Sequence, residues 1–342
     1  KGVIMNKLTK IGASALCGSL AAIASANAGD LSVTGGVDIT WTSLDDETVG
    51  NPLGIGSNLT FSGSGELDNG WSVDLSVAHT NANAYSNTNV TIGVPGMGDF
   101  RISQGVSGGG IDRMDDKTPA VWEEAYGTGL GTGIQTVSGV SGGANVEWTP
   151  SMTPDGLTAR IAVSPSAGGS GSSDKVTSGD GASVSKSGYD VSATASSDFT
   201  GIEGLTVFGG MSQIDQQQNA AAYSGDAEEK TFGATYAVGG FTIGYQWSED
   251  DLGRASSALK YTNEGYGVTF SVNDDLSIGY NHYESEQDND TDVTAEATSV
   301  QIAYTVGGAT FTLAEASADN MKYQTATTYD RDATTIKLAL AF

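Results

Sequence analysis

Cysteine is nearly absent from this chain of 342 residues: the single Cys17 lies close to the N-terminus. Beyond it no disulfide framework and no thiol chemistry can form. Proline is scarce, with 6 residues, and histidine scarcer, with 2. Basic residues are also few, 15 Lys+Arg against 41 Asp+Glu. That balance excludes nucleic acid as a default partner. No run of 18 apolar residues occurs after position 30, so no transmembrane helix is expected there. Mean hydropathy is only −0.17, and no long stretch repeats with a helical period.

The first residues carry a compartment signal. Met5 to Lys10 is a basic opening, "IGASALCGSLAAIASA" is small and apolar, and Ala26-Asn27-Ala28 is an A-x-A cleavage pattern. Residues 5–28 read as a secretory signal peptide, with residues 1–4 upstream of the true start. Cys17 follows Leu16, where a lipoprotein site would want a small residue. Removing Lys1, Lys7 and Lys10 leaves 12 Lys+Arg against 41 Asp+Glu, a formal charge of −29. Such a surface concentrates cations.

What fills the chain is short alternating runs. In "FGATYAVGGFTIGYQW", Phe232, Ala234, Tyr236 and Val238 share one face. After Gly239-Gly240, Phe241, Ile243, Tyr245 and Trp247 share the next. This is a β-hairpin with a tight turn. "YGVTFSVNDDLSIGYNHY", "SVQIAYTVGGATFTL" and "LDNGWSVDLSV" repeat it. One face is aliphatic and aromatic; the other is mainly Gly, Ser and Thr.

Turn lengths separate a sandwich from a barrel. Short turns are expected at 68–70, 95–98, 150–156, 200–204, 239–240, 273–275 and 307–308. Long loops are expected at 43–53, 80–88, 105–143, 165–186, 215–229, 249–257, 285–295 and 318–331. Their alternation joins 16 strands and predicts an all-β transmembrane antiparallel barrel, with short periplasmic turns and long extracellular loops. Aromatics recur beside both kinds of connection, as interfacial girdles do. "TTIKLALAF" (334–342) then closes the barrel against "LSVTGGVDITW" (31–41), leaving no unpaired edge in hydrocarbon.

These stretches resemble a general-diffusion porin of the Gram-negative outer membrane, of the 16-stranded trimeric, alphaproteobacterial type. The terminal strand ending in Phe342, the first strand 31–41, "GDFRISQG" (98–105) and "ANVEWTPSMTPDGLTARIAV" (144–163) carry the resemblance. It implies a homotrimer embedded in outer-membrane lipid, with the third loop folded into each lumen. It also implies acids on that loop facing basic residues on the wall. Here loop 105–143 is the longest and supplies Asp112, Asp115, Asp116, Glu123 and Glu124, with Arg113 and Lys117 among them. Strand parity turns Arg101 and Arg160 inward, together with Lys337 and Lys260.

The expected function is passive diffusion of ions and small hydrophilic solutes through a cation-selective pore. The domain reading is a signal peptide at 1–28 and a barrel at 29–342. An enzyme is not expected: His79 and His282 sit at strand-to-loop positions, and no G-x-S-x-G elbow is present. No cofactor is expected either. Asp288, Asp290 and Asp292 alternate like the start of a calcium loop, but the Gly and twelfth-position Glu of an EF-hand are missing. Looser calcium binding among acidic loops stays open. Residues 166–188 are low-complexity and read as an exposed loop. The alternative is a secreted acidic adhesin or surface-layer protein of β-solenoid type, which should show a fixed repeat period.

Overall fold

The computed structural model describes residues 28–45, 52–80, 85–104, 108–167, 185–216, 222–255, 260–288 and 293–341. The first half contains β1 (Ala28–Leu44), β2 (Leu53–Glu66), β3 (Ser72–Thr80), β4 (Tyr85–Val94), β5 (Gly98–Gln104), β6 (Ala144–Pro150), β7 (Leu157–Ser164) and β8 (Ser185–Ala195). The second contains β9 (Leu205–Gln216), β10 (Ala227–Val238), β11 (Phe241–Asp251), β12 (Lys260–Ser271), β13 (Leu276–Asp288), β14 (Val293–Val306), β15 (Ala309–Asp319) and β16 (Arg331–Ala341). Each strand pairs with its sequence neighbours, and β1 pairs antiparallel with β16, so the sheet is a closed 16-stranded barrel.

Closure answers the problem set by the C-terminal strand. Ile336 lies opposite Trp41, Leu338 opposite Ile39 and Leu340 opposite Val37, so one apolar face runs across the seam. Those faces point outward and stay uncovered: Ile336 is 54 % and Ile55 67 % accessible. A continuous apolar outer band is what lipid contact requires. Phe342 and the signal-peptide residues 5–27 lie outside the described residues.

The connections follow the expected alternation, with three differences. The turn expected at 200–204 runs from residue 196 to 204 and includes a helical turn, Ser197–Thr200. The loop expected at 285–295 shrinks to 289–292, because β13 reaches Asp288 and β14 starts at Val293. Likewise only 81–84 separate β3 from β4. The physical reason is shared by both loops. Backbone pairing continues beyond the apolar band, where both faces are polar and the alternation that marks a strand disappears. His282 therefore lies inside β13, not at its end. In the two-residue turns, Gly239 and Gly307 take φ of 60° and 59°, the first-position glycine of a type II′ hairpin.

Candidate functional site

The lumen is shaped by residues 108–143, which run along the inner wall and return. Their outbound arm begins with a 3-10 turn, Gly110–Met114, packed on β8, β9 and β10. Residues 118–121 then cross β11–β13 over inward-facing glycines. A Cβ on Gly244 would meet Pro119 Cδ at 2.6 Å, one on Gly265 the Thr118 hydroxyl at 2.7 Å, and one on Gly279 Val121 at 2.7 Å. Gly267 would clash with the Pro119 backbone. These residues are inward because their neighbours Ile243, Tyr245, Tyr266 and Tyr280 face out. The glycines thus form a trough that the loop fills.

Amide side chains from the wall pair with the loop backbone. Gln246 on β11 accepts from Lys117 N at 2.9 Å and donates to Met114 O. Gln301 on β14 accepts from Trp122 N at 2.8 Å and donates to Glu123 O. Asn263 on β12 donates to Gln135 O at 2.9 Å on the returning arm. Each replaces the water these buried groups would otherwise need.

Three buried wall carboxylates anchor the loop roots. Glu147 on β6 accepts Gly110 N at 2.7 Å and a two-point contact from Arg113, at 2.6 and 3.1 Å. Asp190 on β8 accepts Ile111 N at 3.0 Å and Val140 N at 3.1 Å. Glu229 on β10 accepts Ser138 N and Gly139 N, both at 2.7 Å. Hydrogen bonds to a charged group contribute about 1.5–3 kcal/mol each, the magnitude that applies to Glu147 with its Arg113 partner. An apolar patch completes the attachment, where Ala125 and Leu130 of the loop pack on the inward alanines 297, 316, 318 and 333.

The predicted site residues divide among these parts. Arg101 faces inward and donates to Gly108 O at 2.6 Å, tying down the loop's start. Arg160 also faces inward, within electrostatic reach of Arg113 and Glu147. Asp112 turns back onto Gly108 N. Asp115 is half-buried, while Asp116 is exposed and pairs with Lys117 at 2.7 Å. Glu123 is exposed and Glu124 half-buried. The acids therefore lie along one arm, and the arginines lie together at its root. Lys337 does face inward, with its Nζ 3.5 Å from Asp38 and 5.3 Å from the centre of the Trp122 ring. Lys260 does not: it shares the outer face of Glu264 and Tyr266 and bridges to Glu249 at 3.2 Å.

Burial sets the loop's electrostatics. It pushes Asp115 up to about 8, helped by the neighbouring Asp116 and Asp112 carboxylates. It pushes Glu124 up to about 7. Asp112 and Glu123 are also raised by burial, and Lys337 partly offsets the shift at Glu123. Asp115 and Glu124 are thus poised to change charge near neutral pH. Among the described residues the loop acids do not converge into a metal cluster; the one His/acid triad close enough to share an ion lies on the outer wall. Asp290 and Asp292 lie outside the described residues.

Sequence reasoning missed Glu147, Asp190, Glu229, Gln246 and Gln301. Their inward parity was legible; that each meets a loop backbone group was not. The inward glycines at 244, 265, 267 and 279 were the available signal.

A family model described as Gram-negative porin matches residues 12–324. The chain belongs to the Gram-negative porin family. Its site in the cell is therefore the outer membrane, and the secreted solenoid alternative falls with the closed barrel. No curated protein matches the sequence. Solved structures share the fold of this porin at low identity. Salmonella typhi OmpF, in a complex with daunomycin, superposes with a TM-score of 0.66 at 12 % identity, over 92 % of this chain and 98 % of that one. The anion-selective porin of Comamonas acidovorans gives 0.65 at 14 %, over 92 % and 100 %. A triple mutant of the Rhodopseudomonas blastica porin gives 0.57 at 14 %, also over 92 % and 100 %.

Proposed function

We propose that this porin is a cation-favouring diffusion channel, with residues 105–143 setting the constriction and no catalytic step. The observation that carries this reading is the row of carboxylates on the loop's outbound arm. Asp116 and Glu123 are exposed to the lumen side, while the arginines are occupied at the loop root by Gly108 O and Glu147. The arm carries five carboxylates against Arg113 and Lys117, and a net-acidic arm in a narrow, low-dielectric-walled pore attracts cations and repels anions. The fold is shared with a porin described as anion-selective, so the barrel alone does not set the sign of selectivity. We assign residues 5–28 to a secretory signal peptide and the assembled form to a homotrimer, in keeping with the family.

Single-channel recording in a planar bilayer under a KCl gradient tests the reading. Stepwise openings with a reversal potential favouring K⁺ are expected, and Asp115→Asn with Asp116→Asn should move that potential toward zero. A wild-type reversal potential favouring Cl⁻ would refute cation selectivity. An unchanged potential in the double variant would move the filter away from these two acids.

A further inference from the structure

Outside the lumen, the wall carries a feature that diffusion does not use. On the outer face of β12–β15, Glu264 lies directly opposite Glu284, Glu284 opposite Glu296, and Glu296 opposite Asp319. Four acids in one cross-strand row repel one another, since like charges directly opposite destabilise a sheet. The row sits just beyond the outward aromatics Tyr266 and Tyr280, toward the long-loop end. Within it one imidazole is held in place. The Nδ1 of His282 meets the Thr298 hydroxyl at 2.9 Å, and its ring centre lies 5.0 Å from that of Tyr266. Its Nε2 points at Glu284 Oε1, 2.8 Å away. The His282 side chain is 12 % accessible, whereas Glu284 is 50 % accessible, so the ring is fixed and the acid is open to solvent.

We propose that His282, Glu284 and Glu296 bind one divalent transition metal of the zinc class on the outer wall. One ligand atom from each lies within 4.8 Å of the other two. Two donors on a tetrahedral zinc, each about 2.1 Å from it, stand about 3.4 Å apart, so small rotamer changes complete the set. An imidazole nitrogen selects zinc over calcium, which takes oxygen ligands. Thr298 acts behind the ligand, fixing the ring so that Nε2 faces the acids, as outer-shell partners of metal-bound histidines do. A dication here would offset half the formal charge of the repelling row, leaving one tetrahedral position for water. Without an ion, the same atoms form only a His–Glu hydrogen bond.

The test uses the full chain, folded in detergent, stripped with chelator and titrated with Zn²⁺ alone by equilibrium dialysis. Binding of one zinc per chain is expected, with large-excess Ca²⁺ unable to displace it. His282→Gln and the double change Glu284→Gln with Glu296→Gln should each weaken binding more than about 10-fold, and Thr298→Val about 10-fold. Single-channel conductance should stay at the wild-type value in all variants, which also shows that the barrels are intact. Sub-stoichiometric binding, displacement by Ca²⁺, or wild-type affinity in either ligand variant overturns the site.

Discussion

The inner faces of β2 and β12 have similar compositions but different surroundings. β2 turns Gly54, Gly56, Asn58 and Thr60 inward, and none of its residues is buried. β12 turns Asn263, Gly265, Gly267 and Thr269 inward, and the first three are buried. The difference is the loop, which lies on strands from β6 to β16 and leaves the β2 wall open to the lumen. Small polar residues can face water or receive a chain. What decides is whether glycines stand in adjacent register, as Gly244 does opposite Gly267, so that a trough forms.

The largest effect expected concerns what the two regions share, an outer face meant for lipid. Ile243→Arg should cost about 2–4 kcal/mol in barrel stability, whereas Thr242→Arg on the inner face should change mainly conductance. Unfolding of the reconstituted protein, read beside single-channel current, separates the two. Equal tolerance at both positions would show that the inner and outer faces are misassigned.

Next comes the trough. Gly267→Leu should overpack Pro119 by about 1–3 kcal/mol and shift the loop into the lumen, lowering conductance. The comparison sharpens with the amides. Gln301→Leu leaves the Trp122 N–H without its partner and the Glu123 carbonyl with only the longer contact from Asn281 at 3.4 Å, and should cost about 1–3 kcal/mol. Asn58→Leu on the open wall should stay within about 0.5 kcal/mol. If both cost the same, the loop is not held by its amide contacts.

A smaller effect is tied to pH. Burial raises Asp115 to about 8 and Glu124 to about 7. A raised carboxylate favours the folded loop fully below its unfolded pKa, about 4, and that contribution is lost as pH rises through about 7 to 8. The sign is therefore a better-held loop in acid and a more cation-selective one in base. Reversal potentials measured from pH 5 to 9 should drift toward K⁺, and Asp115→Asn should flatten the upper part of that drift. Smallest of all, breaking the exposed Asp116–Lys117 pair with Lys117→Gln should change stability by about 1 kcal/mol or less. Its thermal unfolding should be close to that of the wild type.

The strand count, the closing pair and the inward turn of Arg101, Arg160 and Lys337 were legible in the sequence. Alternation has a period of two, so a run of apolar residues fixes the phase of its whole strand. Lys260 keeps the outward parity of Tyr266, Val268 and Phe270, but beyond the apolar band residue character no longer marks the face, since Tyr261 is turned inward and buried. The same loss of pattern hid the upper part of β13 and placed His282 at a strand end.

What the sequence determined by itself was local and periodic: a closed barrel, its outer face, and an acidic chain with one long loop. What only the tertiary structure decided was where that loop lies and which groups hold it. Glu147, Asp190 and Glu229 meet loop residues between 34 and 91 positions away along the chain. Periodicity describes a residue's own strand, whereas a hydrogen bond between wall and loop exists only once closure brings the strands around the lumen. The row from Glu264 to Asp319 arose in the same way, since register between strands is set by turns and pairing and not by any one segment.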